Sequence, residues 1–190
     1  MLIIIISNAT ALKNEATHIN ELFKQGMQLF HLRKPDYTLE QMEELLKNIE
    51  SQYYPNIVLH QHHELAEKYN LKRIHFPEHK RKSTSEAELL NWKKKGFTLS
   101  TSIHDLEEHK SLSEVFDYAF YGPVFESISK PDYKPKSNEI PKLKQEERKV
   151  KIIAIGGVDA DKIMQLQEAG FDGAALLGAV WNALNKENLN

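Results

Sequence analysis

Short apolar runs rich in β-branched residues alternate along this chain with longer stretches in which apolar residues recur at helical spacing. Leu2–Ile6 is apolar at every position and too short for a helix, the pattern of a strand buried on both faces. The stretch from Asn14 to Gln25 carries Ile19, Leu22 and Phe23 at helical spacing, and Gly26 ends it. Met27–Leu32 reads as a second strand. After it, Thr38 caps a helix whose apolar positions are Leu39, Met42, Leu45, Leu46 and Ile49. Ile57–His60 predicts a strand and Glu64–Tyr69 a short helix. Arg73–Phe76 predicts a strand, and Ser83 or Ser85 starts a helix that runs through Trp92 and stops before Gly96. Phe97–Thr101 is the next expected strand. His104–Phe116 follows as a helix, opening on an acidic run that suits a positive helix N-terminus. Asp117–Tyr121, Lys151–Ile155 and Gly173–Leu177 complete the strands, with helices over Asp159–Ala169 and from Gly178 to Leu184.

Eight strand-plus-connection units predict an α/β architecture with a parallel sheet, and specifically a single (β/α)8 TIM barrel in a short version, residues 1–190 forming one domain. The chain, at 190 residues, is shorter than the roughly 250 typical of that fold, so short helices are expected, and one connection without a regular helix. The weakest stretch is Ser127–Lys149, where Pro131, Pro135 and Pro141 stand among charged residues; it reads as a mobile loop. An open doubly wound sheet is the alternative with the same alternation.

Composition narrows the function. The formal net charge is −2, so no global field draws nucleic acid or an anionic membrane, and neither is an expected partner. There are no cysteines, which removes disulfides, thiolate zinc sites and a cysteine nucleophile. The apolar N-terminus lacks a preceding basic residue and a small-residue cleavage site, so it is not read as a signal peptide. No run approaches the ~20 apolar residues of a membrane span. A cytoplasmic protein is expected, for which a homodimer is one allowed assembly.

In a barrel of this kind the working residues sit where strands end. Ile155-Gly156-Gly157 closes the seventh strand, and the eighth runs into Gly178-Ala179. Bare backbone N–H groups at two such turns, each leading into a helix, suit a phosphate; two ordinary tight turns are the plain alternative. Gly157→Asp is expected to abolish phosphate binding without unfolding the barrel. Arg33 closes the second strand and offers a fork for anionic oxygens. Ser127, Ser129 and Lys130 could close over an anion from the loop after the sixth strand. His60, His62 and His63, with His75 one strand onward, contain enough imidazoles for zinc. No acidic residue accompanies them at ligand spacing, so no metal site is expected, and His60, Gln61 and His75 are read as substrate contacts. His31 and His104 fit proton transfer, because an imidazole titrates near neutral pH.

Five segments carry a resemblance. They are His31-Leu32-Arg33, the run Ser102 to Glu108, the run Tyr121 to Lys130, Ala154-Ile155-Gly156-Gly157-Val158, and Ala169 to Ala174. In that order they resemble the thiamine-phosphate synthase and TenI family, over roughly Gly26 to Leu184. The resemblance implies the same barrel and a thiazole phosphate as small-molecule substrate. In the family the synthase joins a pyrimidine diphosphate to the thiazole phosphate and releases pyrophosphate with Mg²⁺. TenI proteins aromatise a thiazole phosphate carboxylate without metal or other cofactor.

The chain departs from both patterns. His60-Gln61 stands where synthases have Asn-Asp, and Phe76-Pro77-Glu78-His79 stands where another Asp is expected. His31 and Phe125-Glu126 are TenI-like, whereas Pro123 stands where active TenI proteins have a histidine. Because Gln61 cannot replace a carboxylate charge on Mg²⁺, the residues lean towards metal-free proton transfer. Thiamine-phosphate synthase is the alternative, and a non-catalytic binder of phosphate ligands is a third reading.

Overall fold

A computed structural model describes residues 1–126, 139–144 and 148–187. The strands are β1 (Leu2–Ile6), β2 (Leu29–Leu32), β3 (Ile57–Leu59), β4 (Arg73–Phe76), β5 (Thr98–Ile103), β6 (Tyr118–Tyr121), β7 (Lys151–Ile155) and β8 (Gly173–Leu176). They close in sequence order into an eight-stranded barrel. Every pairing is parallel, and the seam is β1 against β8, with Ile4 opposite Ala175. The open doubly wound sheet is thereby ruled out.

Closure explains why the strands are apolar at nearly every position. One set of side chains, including Ile4, Ile6, Leu29, Val58, Tyr118, Phe120 and Ile153, points into the barrel. The alternate set, including Ile5, Phe30, Leu32, Leu59, Ile74 and Phe76, packs outward against Ile19, Phe23, Met42 and Leu46 of the surrounding helices. Among the described residues those helices are α1 (Glu15–Lys24), α2 (Leu39–Lys47), α3 (Glu64–Lys68), α4 (Glu78–Ser83), α5 (Glu86–Lys94), α6 (Ile163–Glu168) and α7 (Gly178–Glu187). None of them is long and apolar enough to cross a membrane. Trp181 of α7 is buried and donates from Nε1 to the carbonyl of Ile6 at 2.6 Å, fastening the last helix over the seam.

The expected elements differ from the observed ones mainly after β4 and β5. Helix α4 was not foreseen, because its run Glu78 to Ser83 contains no apolar residue to mark a buried face. It is held instead by charge, with Glu78 to Lys82 one turn apart and Arg81 bonded to Glu108 at 2.7 Å. The helix expected over His104–Phe116 is absent. β5 runs on to Ile103, and only a 3₁₀ segment, Leu106–Ser111, follows. Leu106, His109, Leu112 and Val115 recur every third residue, which matches a 3₁₀ turn better than the α period. Most of the Ser127–Lys149 stretch, with Ser127, Ser129 and Lys130, lies outside the described residues; its described part has no regular structure.

Candidate active site

The C-terminal mouth of the barrel holds a cavity of about 1320 Å³. One wall is built by the ends of β7 and β8, with Gly156, Gly157, Gly178 and Ala179 all lining it. Gly156 and Gly157 have φ of +92° and +64°, the left-handed region that glycine enters without steric cost. Space also demands glycine here, since a Cβ on Gly157 would lie 2.4 Å from the Glu126 carbonyl oxygen. The turn packs on the segment that follows β6, with Phe125 N–H bonded to the Gly156 carbonyl at 3.0 Å. Helix α7 begins at Gly178, and its earliest backbone bonds come from Val180 and Trp181 to the Leu177 carbonyl. Among the described residues no acceptor takes the N–H groups of Gly156, Gly157, Gly178 or Ala179. Lys162 adds positive charge beside the first turn, donating to the Gly157 carbonyl and to Asp159, each at 2.7 Å.

The opposite wall is polar and rich in imidazoles. Arg33, at the end of β2, has its backbone fixed to the Ser7 hydroxyl by bonds of 2.8 and 2.9 Å. Arg33 lines the cavity, and no ion pair of its guanidinium occurs among the described residues. The neighbouring Lys34 serves the scaffold. It is buried and pairs with Glu15 at 2.6 Å, tying the β2 loop to α1. His60, His75, Ser102, His79 and Phe120 also line the cavity.

His104 reaches the wall from the loop after β5, and its Nδ1 is bonded to the Glu78 carboxylate of α4. The Lys82 ammonium, and after it His104, hold the Glu78 carboxyl down at about 2, so it is ionised at neutral pH and fixes Nδ1 of His104 as the donor. Nε2 of His104 is therefore the nitrogen left for a ligand. Without α4, sequence reasoning gave Glu78 no part in orienting His104.

Two expected contacts are not on the wall. Gln61 turns its amide to the Lys34 carbonyl. His31 lies one layer further in, level with Val58 in the strand register, fully buried and with both ring nitrogens engaged. Its Nδ1 meets His60 Nε2 at 2.9 Å and its Nε2 meets the Tyr118 hydroxyl at 2.6 Å. His31 therefore cannot touch a ligand in the cavity, contrary to the role the sequence gave it. Burial, then the charge of neighbouring groups, pushes His31 and His60 well below the usual histidine range, and holds His75 at about 3. All three are neutral at pH 7.

Ligand atoms of His31, His60 and His75 lie within 4.8 Å of one another. They do not form a cage. His60 and His75 are stacked, with ring centroids 4.1 Å apart, and the nitrogens of His31 and His75 are spent on neighbouring side chains. Mg²⁺ fits the wall no better. Its carboxylates among the described residues are Glu78, paired with Lys82, and Asp159, whose Oδ2 is paired with Lys162 and whose Oδ1 is buried without a partner, so a single oxygen is left over. A hard cation needs several converging oxygens.

The sequence matches the model of the thiamine monophosphate synthase family over residues 2–180. The thiamine-phosphate synthase of Staphylococcus haemolyticus is 32% identical over 184 residues, covering 90% of this chain and 85% of the relative. That of Streptococcus agalactiae serotype III is 28% identical over 179 residues, covering 90% and 79%. The crystal structure of thiamine phosphate pyrophosphorylase from Bacteroides thetaiotaomicron superposes with a TM-score of 0.73 at 29% identity, covering 96% of this chain and 85% of that one.

Proposed function

Because the chain belongs to the thiamine monophosphate synthase family, we propose that it binds a thiazole phosphate in the barrel mouth and joins it to a pyrimidine diphosphate, releasing pyrophosphate. The observation that carries the binding step is the pair of turns, Gly156-Gly157 and Gly178-Ala179. They line one cavity with their N–H groups unspent, as a phosphate dianion requires. The names of two relatives that align over most of their length favour the transferase over the proton transfer to which the residues by themselves lean. The cavity, at about 1320 Å³, also exceeds the roughly 300–1,000 Å³ usual for a single drug-sized ligand, leaving room for two substrates.

In this reading the thiazole phosphate sits against β7 and β8. Arg33 faces the second anionic group from across the cavity. His104, with Glu78 behind it, is the imidazole able to exchange a proton at the mouth. Ser127, Ser129 and Lys130 remain proposed contacts from the loop after β6. Since the wall does not fit Mg²⁺, no step here is assigned to a protein-held metal. Magnesium chloride titrated into the free protein should give no binding heat.

A second reading, tautomerisation of a thiazole phosphate carboxylate, is favoured by the neutral imidazoles on a wall without a carboxylate pair. One experiment separates the readings. The protein is incubated with pyrimidine diphosphate and thiazole phosphate, and in a second vessel with the non-aromatic thiazole phosphate carboxylate. Pyrophosphate and thiamine phosphate in the first vessel are the expected result. Conversion in the second vessel alone would replace the transferase by the tautomerase. Binding with no turnover in either would leave a non-catalytic binder.

A further inference from the structure

His31 reaches no ligand, yet both its ring nitrogens are engaged in the barrel interior. Its Nδ1 lies 2.9 Å from Nε2 of His60, a residue of the cavity wall. Its Nε2 lies 2.6 Å from the hydroxyl of Tyr118, which is itself buried. That is the one hydrogen bond of the Tyr118 hydroxyl among the described residues. Ser100, its partner in the β5–β6 register, places its own hydroxyl 2.9 Å from His75 Nδ1 and 3.4 Å from the Ile74 carbonyl. His60 is stacked on His75, which holds the plane of its ring. The remaining nitrogen of His60, Nδ1, has no partner among the described residues and is not among the sealed atoms.

The proton positions follow from this order. Burial raises the Tyr118 phenol far above its ordinary range, so it keeps its single proton. A buried donor without an acceptor is costly, so that proton goes to Nε2 of His31. Burial, and after it neighbouring charge, keeps His31 and His60 neutral, each with one nitrogen donating and the other accepting. With Nε2 accepting, His31 carries its proton on Nδ1 and donates it to Nε2 of His60. The proton of His60 is then on Nδ1.

We infer that Tyr118, acting through His31, fixes the tautomer of His60, so that His60 offers an N–H donor to the cavity and selects an uncharged aromatic ring that places a nitrogen lone pair there. Ile6, Phe120 and Ala175 line the same cavity and give such a ring apolar surface. A ring that turned an amino group to His60 would set donor against donor and is rejected. In the proposed transfer, on which this assignment of the ring rests, the thiazole nitrogen gives its lone pair to the new bond. The ring at His60 is therefore the pyrimidine. His60 touches the ligand, whereas His31 and Tyr118 are positioning residues.

The opposite orientation gives a different signature. Were the phenol proton turned towards Ser100, His31 and His60 would both carry their protons on Nε2. Long-range proton–nitrogen spectra of the full chain labelled with ¹⁵N-histidine, at neutral pH, tell the two apart. The expected result is Nδ1–H in both rings. Nε2–H in either, a mixture, or an imidazolium would overturn the inference.

Tyr118→Phe removes the donor that sets the order. His60 should then populate both tautomers, and apparent affinity for the pyrimidine diphosphate should fall by the fraction of Nδ1–H lost. A folded variant whose His60 stays wholly Nδ1–H would overturn the role of Tyr118; if the variant does not fold, the spectrum of the parent still decides. Calorimetry then tests the ring, using the two analogues of the pyrimidine diphosphate in which one ring nitrogen is replaced by C–H. One of them should bind about tenfold more weakly than the parent compound, since it leaves the His60 donor unpaired. Equal affinity of all three compounds would overturn the ring contact. Failure of the pyrimidine diphosphate itself to bind would remove the proposed function and the ring assignment with it, while the tautomers of the free protein decide the role of Tyr118 separately.

Discussion

At Gly157, backbone geometry and ligand chemistry act on the same residue. Its φ of +64° and the 2.4 Å gap to the Glu126 oxygen mean that any side chain there strains the turn, whatever its charge. Gly157→Asp therefore cannot separate loss of phosphate binding from loss of the turn, and the expectation that it leaves the barrel undisturbed is withdrawn. Ala179 is the better position. It lies in the first turn of α7 and lines the same cavity. A carboxylate at a helix N-terminus stabilises the helix, so Ala179→Asp should melt no lower than the parent. The same charge repels a phosphate. Calorimetry with thiazole phosphate should show affinity reduced at least about tenfold, or about 1.4 kcal/mol. Unchanged affinity in a folded Ala179→Asp protein would contradict the phosphate assignment.

Among the elements, α2 is the one whose local signals all agree. Thr38 accepts from the Gln41 N–H while the Gln41 side chain accepts from Thr38 N–H, a complete capping box, and Met42 and Leu46 are buried on the core face. Thr38→Ala removes the cap and should cost about 1 kcal/mol. For a chain of this length that lowers the melting temperature by about 2–4 °C, measurable by scanning calorimetry. An unchanged melting temperature would mean that packing alone holds the helix start. The 3₁₀ segment Leu106–Ser111 and helix α4 are the opposite case. Neither has an apolar stripe at the α period, and each is placed by contacts with the other, such as Arg81 with Glu108. Periodicity carries no information about an element held by a charge on its neighbour.

For the whole molecule, the polar interior has a cost in acid. The native barrel keeps His31 and His60 neutral well below their usual range, His75 down to about 3 and His63 to about 4. In the unfolded chain each takes up its proton near pH 6.5. Below that pH the unfolded state binds more protons, so stability must fall as pH falls. The limiting slope is about 1.4 kcal/mol per pH unit for each histidine. The window runs from about pH 6.5 down to the native values near 4 and 3. Urea denaturation at pH 7, 6 and 5 should show the midpoint dropping with increasing steepness. A midpoint independent of pH across that range would mean that the histidines are solvated and the barrel interior is wetter than described.

Strand count, strand order and the two glycine turns were legible in the sequence because each depends on residues close together in the chain. Buried strands must be apolar, the left-handed turn at Gly156-Gly157 beside a packed segment must be glycine, and Gly178 directly follows the eighth apolar run. The histidines at strand ends were visible too, but not their ranks. Whether His31 or His60 meets the cavity depends on how far the strands slide past one another when the barrel closes. That register is a property of all eight strands together. The pairing of Glu78 with His104, the contact of His31 with Tyr118 and that of His75 with Ser100 join residues 25 to 87 positions apart. A hydrogen bond is decided at about 3 Å, a scale that only tertiary packing sets.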